Sequence, residues 1–108
     1  MIYMRRESDK ITIKIIGSKW NLMIIFNLSY QTLRFTELQK RMDNVNPKTI
    51  TKHLRYLERY NIIKRVVYPE VPPRVEYSLT EYGIALIPLL KSIMEWGSTL
   101  QYNITEEK

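Results

Sequence analysis

Lys48, Thr49, Thr51, Lys52, Arg55, Tyr56 and Arg59 crowd into one short stretch of the chain, Asn46 to Tyr60. Ammonium and guanidinium groups neutralise phosphate or reach guanine edges, and a threonine hydroxyl serves either role. Side chains of this kind on one helical face are what a helix needs to enter a major groove of DNA. A charged helix face is more commonly just a solvated one, but such faces interleave the two signs. Here Lys48, Lys52, Arg55 and Arg59 stand against one acid, Glu58.

The element that presents these groups is legible. Asn46 is a capping residue, and Pro47 suits the first helical position, where no N–H partner is lost. Ile50, Leu54 and Leu57 recur at i, i+4 and i+7 and form an inner apolar stripe. At about 100° per residue the cations point away from that stripe, with Thr49 and Thr51 flanking the first turn. Upstream, Thr36 reads as the cap of a two-turn helix held by Leu38 and Met42, and Asp43-Asn44-Val45 is turn chemistry. A short helix, a tight turn and a helix with an outward basic face make a helix-turn-helix.

Elsewhere the pattern supplies a scaffold. Residues 1–9 read as a mobile arm whose basic groups could also touch a phosphate backbone. Ser8 or Asp9 would cap a first helix carrying Ile11, Ile15 and Ile16, which Gly17 ends. Ser18 caps a second helix, to about Ser29, whose broad apolar face includes Trp20, Met23, Ile24 and Leu28. Leu33-Arg34-Phe35 suits an edge strand pairing with a later hairpin. That hairpin is a wing: Ile62 to Tyr68, the stiff Pro69-Glu70-Val71-Pro72-Pro73 loop, and Arg74 to Leu79 with Val75, Tyr77 and Leu79 facing inward. Arg74 beside the prolines has two readings of equal standing: insertion into a narrow minor groove, or pairing with Glu70 or Glu76. Thr80 caps a last helix in which Ile84, Leu86, Ile87, Leu89, Leu90, Ile93, Met94 and Trp96 exceed what one face can hold, so part should pack on a two-fold partner. Pro88 should kink that helix or loosen a turn, and residues 102–108 should fray.

Length and charge narrow the function. The 108 residues make one domain, and a net charge of +6 favours a polyanionic partner: nucleic acid first, an anionic membrane surface second. Cysteine is absent, which removes disulfides, thiolate metal sites and cysteine nucleophiles. No apolar run approaches the roughly 18 residues of a membrane span, and there is no secretory h-region, so a cytoplasmic location without membrane contact is expected. His53, the one histidine, has no carboxylate cluster beside it and reads as bordering the core stripe rather than holding a metal. Trp20 and Trp96 read as core or interface aromatics, with a ligand pocket as the lesser alternative. No nucleophile with a base, shaped acid pair or glycine-rich phosphate loop is present, so neither an enzyme nor a cofactor is expected.

The order of elements is that of a winged helix. The words Ile16-Gly17-Ser18-Lys19-Trp20, Arg34-Phe35-Thr36-Glu37-Leu38, Lys48-Thr49-Ile50-Thr51 with Leu54-Arg55-Tyr56-Leu57-Glu58, and Trp96-Gly97 resemble the HxlR-type transcriptional regulators, related to the MarR class. The closest stretch is Val67-Tyr68-Pro69-Glu70-Val71-Pro72-Pro73-Arg74-Val75-Glu76-Tyr77-Ser78-Leu79-Thr80-Glu81-Tyr82-Gly83. The resemblance spans roughly residues 10 to 100. It implies an α+β, mainly α fold: a winged helix-turn-helix with a two-stranded wing and additional N- and C-terminal dimerisation helices. It further implies a homodimer on double-stranded DNA, with the Pro47 helix as recognition helix and Arg74 in the wing. Interface contacts would come from Ile11 and Ile15 of the first helix and Leu86, Leu89, Leu90, Ile93, Met94 and Trp96 of the last. Ser18 stands where a second glycine is common. Some relatives sense oxidants through an N-terminal cysteine, a switch that cannot operate here. Whether a small-molecule effector exists is left open by the sequence. The rival readings are a winged-helix protein-interaction module and a non-specific DNA-coating protein.

Overall fold

The computed structural model describes residues 5–102. Residues 1–4 of the expected arm and 103–108 of the expected tail lie outside them. Helix α1 spans Glu7–Ile16, α2 Lys19–Leu28, strand β1 Leu33–Arg34, α3 Phe35–Arg41, α4 Pro47–Arg59, β2 Ile63–Tyr68, β3 Arg74–Leu79 and α5 Glu81–Gly97. The three strands form one antiparallel sheet in the order β1-β3-β2. Leu33 lies opposite Tyr77, and the wing registers Ile63 with Leu79 and Tyr68 with Arg74. The short strand before α3 therefore pairs with the hairpin as expected, and the architecture is a winged helix-turn-helix.

Local chemistry explains most boundaries. The Ser18 hydroxyl accepts from the Asn21 N–H (3.2 Å), the Asn46 side chain from the Lys48 N–H (2.7 Å) and the Thr80 hydroxyl from the Gly83 N–H (3.3 Å). Two starts differ from expectation. Helix α1 begins at Glu7, inside the supposed arm, because the Asp9 carboxylate reaches back to the Arg6 N–H at 3.2 Å and pairs with its guanidinium at 2.8 Å. Helix α3 begins at Phe35 rather than after Thr36, because Glu37 accepts from the Arg34 N–H at 2.8 Å. In both, an acid in the third helical position closes the turn from inside instead of a hydroxyl closing it from outside.

The turn between α3 and α4 places Asp43 and Asn44 at φ 57°, a left-handed conformation that Asx residues tolerate best after glycine. Helix α4 closes on Asn61 at φ 60°, with the Ile62 N–H returning to the Leu57 carbonyl at 2.9 Å and the Asn61 N–H to that of Glu58 at 3.0 Å. That exit binds the next junction too. The Ile62 carbonyl accepts from the Thr80 N–H and hydroxyl (3.0 and 3.1 Å), and a Cβ at Gly83 would overlap the same oxygen. Glycine is needed at residue 83 for close approach, with its φ in the ordinary range.

The core is continuous: Ile24 and Ile25 of α2, Leu38 and Met42 at α3, Ile50 and Leu57 of α4, Ile63 of β2 and Leu90 of α5 are fully buried. Ile15 of α1 (6 % exposed) joins them. The inward side of β3 is closed by Leu79, while Val75 and Tyr77 are half-buried. Helix α5 continues through Pro88 as a single element. No single helix among the described residues is long and apolar enough to cross a membrane. The radius of gyration is 15.9 Å, against about 13 Å for a compact chain of this size. The excess fits an α5 whose residues 91–96 are all exposed.

Candidate nucleic-acid interface

Helix α4 sorts its side chains sharply. Ile50, Leu54 and Leu57 are buried, whereas Lys48, Lys52, Arg55 and Arg59 are exposed. Helix α2 packs behind it, and the turn at Asp43-Asn44 leads into its N-terminal end. Thr49 and Thr51 are half-covered on either side of the first turn. The lone acid, Glu58, is drawn towards β2, where Arg65 Nε lies 3.6 Å from its carboxylate. The cationic face thus carries no free carboxylate of its own. Arg65 was not singled out by sequence reasoning; the signal was its place in a strand that had to run back alongside α4.

Tyr56 lies further round the helix than the lysines. Its ring is half-buried, lies tilted against Tyr60 (4.9 Å between centroids) and receives Lys14 Nζ of α1 at 4.7 Å. Burial, and then the neighbouring Tyr60, push its phenol above the ordinary range, Arg59 opposing, so the hydroxyl stays protonated at neutral pH. Lys14 of α1, the cap and first turn of α2 and the outer side of α4 line a half-open hollow of about 360 Å³ beside this ring. His53, at its edge, borders the core as expected and bonds through Nδ1 to Asn21 Oδ1 at 2.7 Å. Burial, and secondarily the Lys52 charge, lower the His53 pKa, favouring the neutral ring.

Arg74 is engaged within the wing. Its guanidinium donates to Glu76 at 2.7 Å and to Glu70 at 2.8 and 3.2 Å, and lies 3.9 Å from the Tyr68 ring centroid. The pairing with Arg74 holds the Glu70 carboxyl below its usual range, and both carboxylates keep Arg74 protonated. Of its two sequence readings, internal pairing is the one the geometry displays.

The expected interface residues divide. Leu89 (61 % exposed), Trp96 (63 %), Ile93 and Met94 are exposed, together with Tyr82 and Ile84 at the head of the same helix. Ile11 and Leu86 are half-covered and pack against the core. Ile15 and Leu90 correct the expectation: at 6 % and 1 % exposure they belong to the interior of their own domain and offer a partner nothing. Helical periodicity identifies an apolar face but not which neighbour covers it. Trp20 is packed against the core and Trp96 is not.

Residues 15–105 match the HxlR-like helix-turn-helix family. The chain is 43 % identical over 90 residues to an uncharacterised HTH-type transcriptional regulator of Methanothermobacter thermautotrophicus, covering 83 % of this chain and 69 % of that one. It is 42 % identical over 93 residues to another from Halalkalibacterium halodurans, covering 85 % and 82 %. Among solved structures, the reduced form of the transcriptional regulator YodB from Bacillus subtilis superposes with a TM-score of 0.80 at 30 % identity, over 90 % of this chain and 95 % of that one. A protein of Porphyromonas gingivalis W83 assigned to the MarR family gives 0.80 at 33 %, over 94 % and 99 %. With an exposed basic helix held out by a helix-turn-helix, and matches of this extent, the chain belongs to the HxlR-like helix-turn-helix family of DNA-binding transcriptional regulators.

Proposed function

We propose that the protein acts as a homodimer that sets its two α4 helices in successive major grooves of a near-palindromic operator. The observation that carries this reading is the undiluted cationic face of α4, whose single acid is occupied by Arg65. Lys48, Thr49, Thr51 and Lys52, on the first turns, are assigned to base edges and nearby phosphates. Arg55 and Arg59, further along, are assigned to backbone phosphate. Tyr56 contributes from the flank through its protonated hydroxyl. Arg74 is assigned to bracing the wing, since its charge is already met by two carboxylates.

Pairing of protomers is supported by the apolar row of α5, Leu89, Ile93, Met94 and Trp96, with Leu86 and Ile11 at its margin. Half-sites should then be separated by about 10 bp or a multiple of it.

Selecting bound fragments from a genomic library gives the operator, and salt titration on it tests the assignment. Affinity should fall log-linearly with salt and exceed that for unrelated DNA by at least about 10³. Replacing Lys48, Lys52 and Arg55 together by alanine should remove that preference. Equal affinity of wild type and triple variant would eliminate α4 as the reading element. A salt slope without preference would indicate general DNA coating, and a protein partner without any DNA affinity would indicate an interaction module.

A further inference from the structure

Two guanidinium groups of the wing are held in different ways. Arg74 is bonded at 2.7 and 2.8 Å to two carboxylates and lies over the Tyr68 ring. Arg65 has one ion-pair partner among the described residues, Glu58, which it meets through Nε at 3.6 Å. That is beyond hydrogen-bond reach, and both side chains are exposed to solvent, so the pair contributes little and parts readily. The strand period places Arg65 with intent. Ile63, Arg65 and Val67 share one face of β2, and since Ile63 is fully buried, Arg65 leaves the sheet on the α4 side just where the core ends. Tyr77 lies opposite it in the register and shares that face. With Thr51, Leu54, Arg55 and Glu58 of α4 these two line a half-open cleft of about 260 Å³ between helix and wing. Its walls carry two guanidinium groups, two hydroxyls and a single carboxylate. Burial, chiefly, raises the Tyr77 phenol above its ordinary range, so that hydroxyl remains a donor at neutral pH.

We propose that the Glu58 carboxylate is a placeholder: in the free protein it sits beside Arg65 where a DNA phosphate sits in the complex, and it swings aside as that phosphate enters the cleft between Arg65 and Arg55. The seat presupposes the DNA-binding reading of α4 above. A helix lying in a major groove has a sugar–phosphate strand along its flank, and the cleft opens on the flank of α4 that faces the wing. Phosphate offers Arg65 what Glu58 offers, anionic oxygens for a planar fork of donors. Because Glu58 is met through Nε, both terminal nitrogens of Arg65 are available to the newcomer. Glu58 stands in the last turn of α4 with its side chain partly in solvent, so it has room to leave. Until it does, it screens Arg65 and Arg55 from each other across the cleft. Arg65, rather than Arg74, is then the wing residue that grips the backbone.

A double-mutant cycle on the full-length protein tests the exchange. Affinity and its salt slope are measured for wild type, Glu58→Gln, Arg65→Ala and the double variant, on the selected operator and on an unrelated duplex of equal length. Arg65→Ala should weaken both complexes by a similar factor and lower the salt slope by about one. Glu58→Gln should do the opposite, tightening both about fivefold, and in the Arg65→Ala background that gain should shrink below about twofold. Were the pair instead a brace that sets the wing against α4, both single variants would weaken binding, which overturns the placeholder. Were Glu58 only a distant negative charge, its removal would help equally with and without Arg65, which also overturns it. An unchanged salt slope in Arg65→Ala, with wild type still preferring its operator, overturns the seat and leaves the reading of α4 standing. No affinity of wild type for either duplex overturns that reading, and the seat with it.

Discussion

Helices α4 and α5 are both amphipathic, but they stand in opposite relation to their own chain. In α4 the apolar stripe is wholly spent inside the domain: Ile50 and Leu57 are at 0 % exposure, and beyond the leading Pro47 the exposed residues are all cations. In α5 the interior takes Gly83 and Leu90, while Ile84, Leu89, Ile93, Met94 and Trp96 are left facing solvent. A helix satisfied within its fold is free to use its other face on a charged polymer. A helix with surplus apolar surface is incomplete until something covers it. On the proposed function the two regions divide the work, one reading and one pairing, and each half of that proposal can be broken separately.

The largest effect should come from the buried side of α4. Leu54→Ala should lower stability by about 2–5 kcal/mol, measured by urea unfolding, because a methyl-lined gap opens beneath the reading face. A change below about 1 kcal/mol would mean that the stripe is not the helix's anchor. On α5, Leu89→Glu with Ile93→Glu should raise the dimer dissociation constant a hundredfold or more, about 3 kcal/mol, in sedimentation equilibrium, while the circular dichroism of the monomer is kept. An unchanged association state would remove α5 from any interface.

On the outer face of α4, Lys52→Ala should weaken operator binding by about 1–3 kcal/mol and relax preference at one base pair if it reads a base. If it meets phosphate, all sequences should weaken alike and the salt slope should fall by about one. Arg74→Ala should do less. Its bridges are partly exposed, so the stability loss should be slight, and the salt slope on DNA should not change. A slope reduced by a full unit would return Arg74 to the set of phosphate contacts.

The smallest expected effect is a pH dependence at the α2–α4 contact. The folded state lowers the His53 pKa, so the unfolded chain binds the proton more readily. The contribution is therefore complete above the ordinary histidine value and is lost as pH falls through the folded value. Thermal melts at pH 7.5 and 5.5 should show a larger drop in Tm for wild type than for His53→Gln. Equal drops would show that the ring is not held neutral by its surroundings.

What the chain discloses before folding is uneven, and the reason is range. The caps at Ser18, Asn46 and Thr80, the stripe of α4 and the wing are readable because their patterns lie within one helix or one hairpin. The starts of α1 and α3 misled because acids at Asp9 and Glu37 cap from within, which composition does not distinguish from a surface charge. Ile15 and Leu90 misled because a stripe has no label for its neighbour. The candidate site was legible as a set of cations but not as a space. Asn21 and His53 are 32 residues apart, and only packing of α2 on α4 brings them within 2.7 Å. Arg74 was decidable only once Tyr68, Glu70 and Glu76 were seen around it.

The Ile62 carbonyl, touched by Thr80 and crowded by Gly83, has a wider meaning. It rivets the last turn of α4 to the first turn of α5, with the base of the hairpin between them. If the protomers pair as proposed, the gap between their two α4 helices is set at one peptide group, like the pivot of a pair of callipers. Drift in that pivot would retune which operator spacing is preferred without altering a single residue that meets DNA.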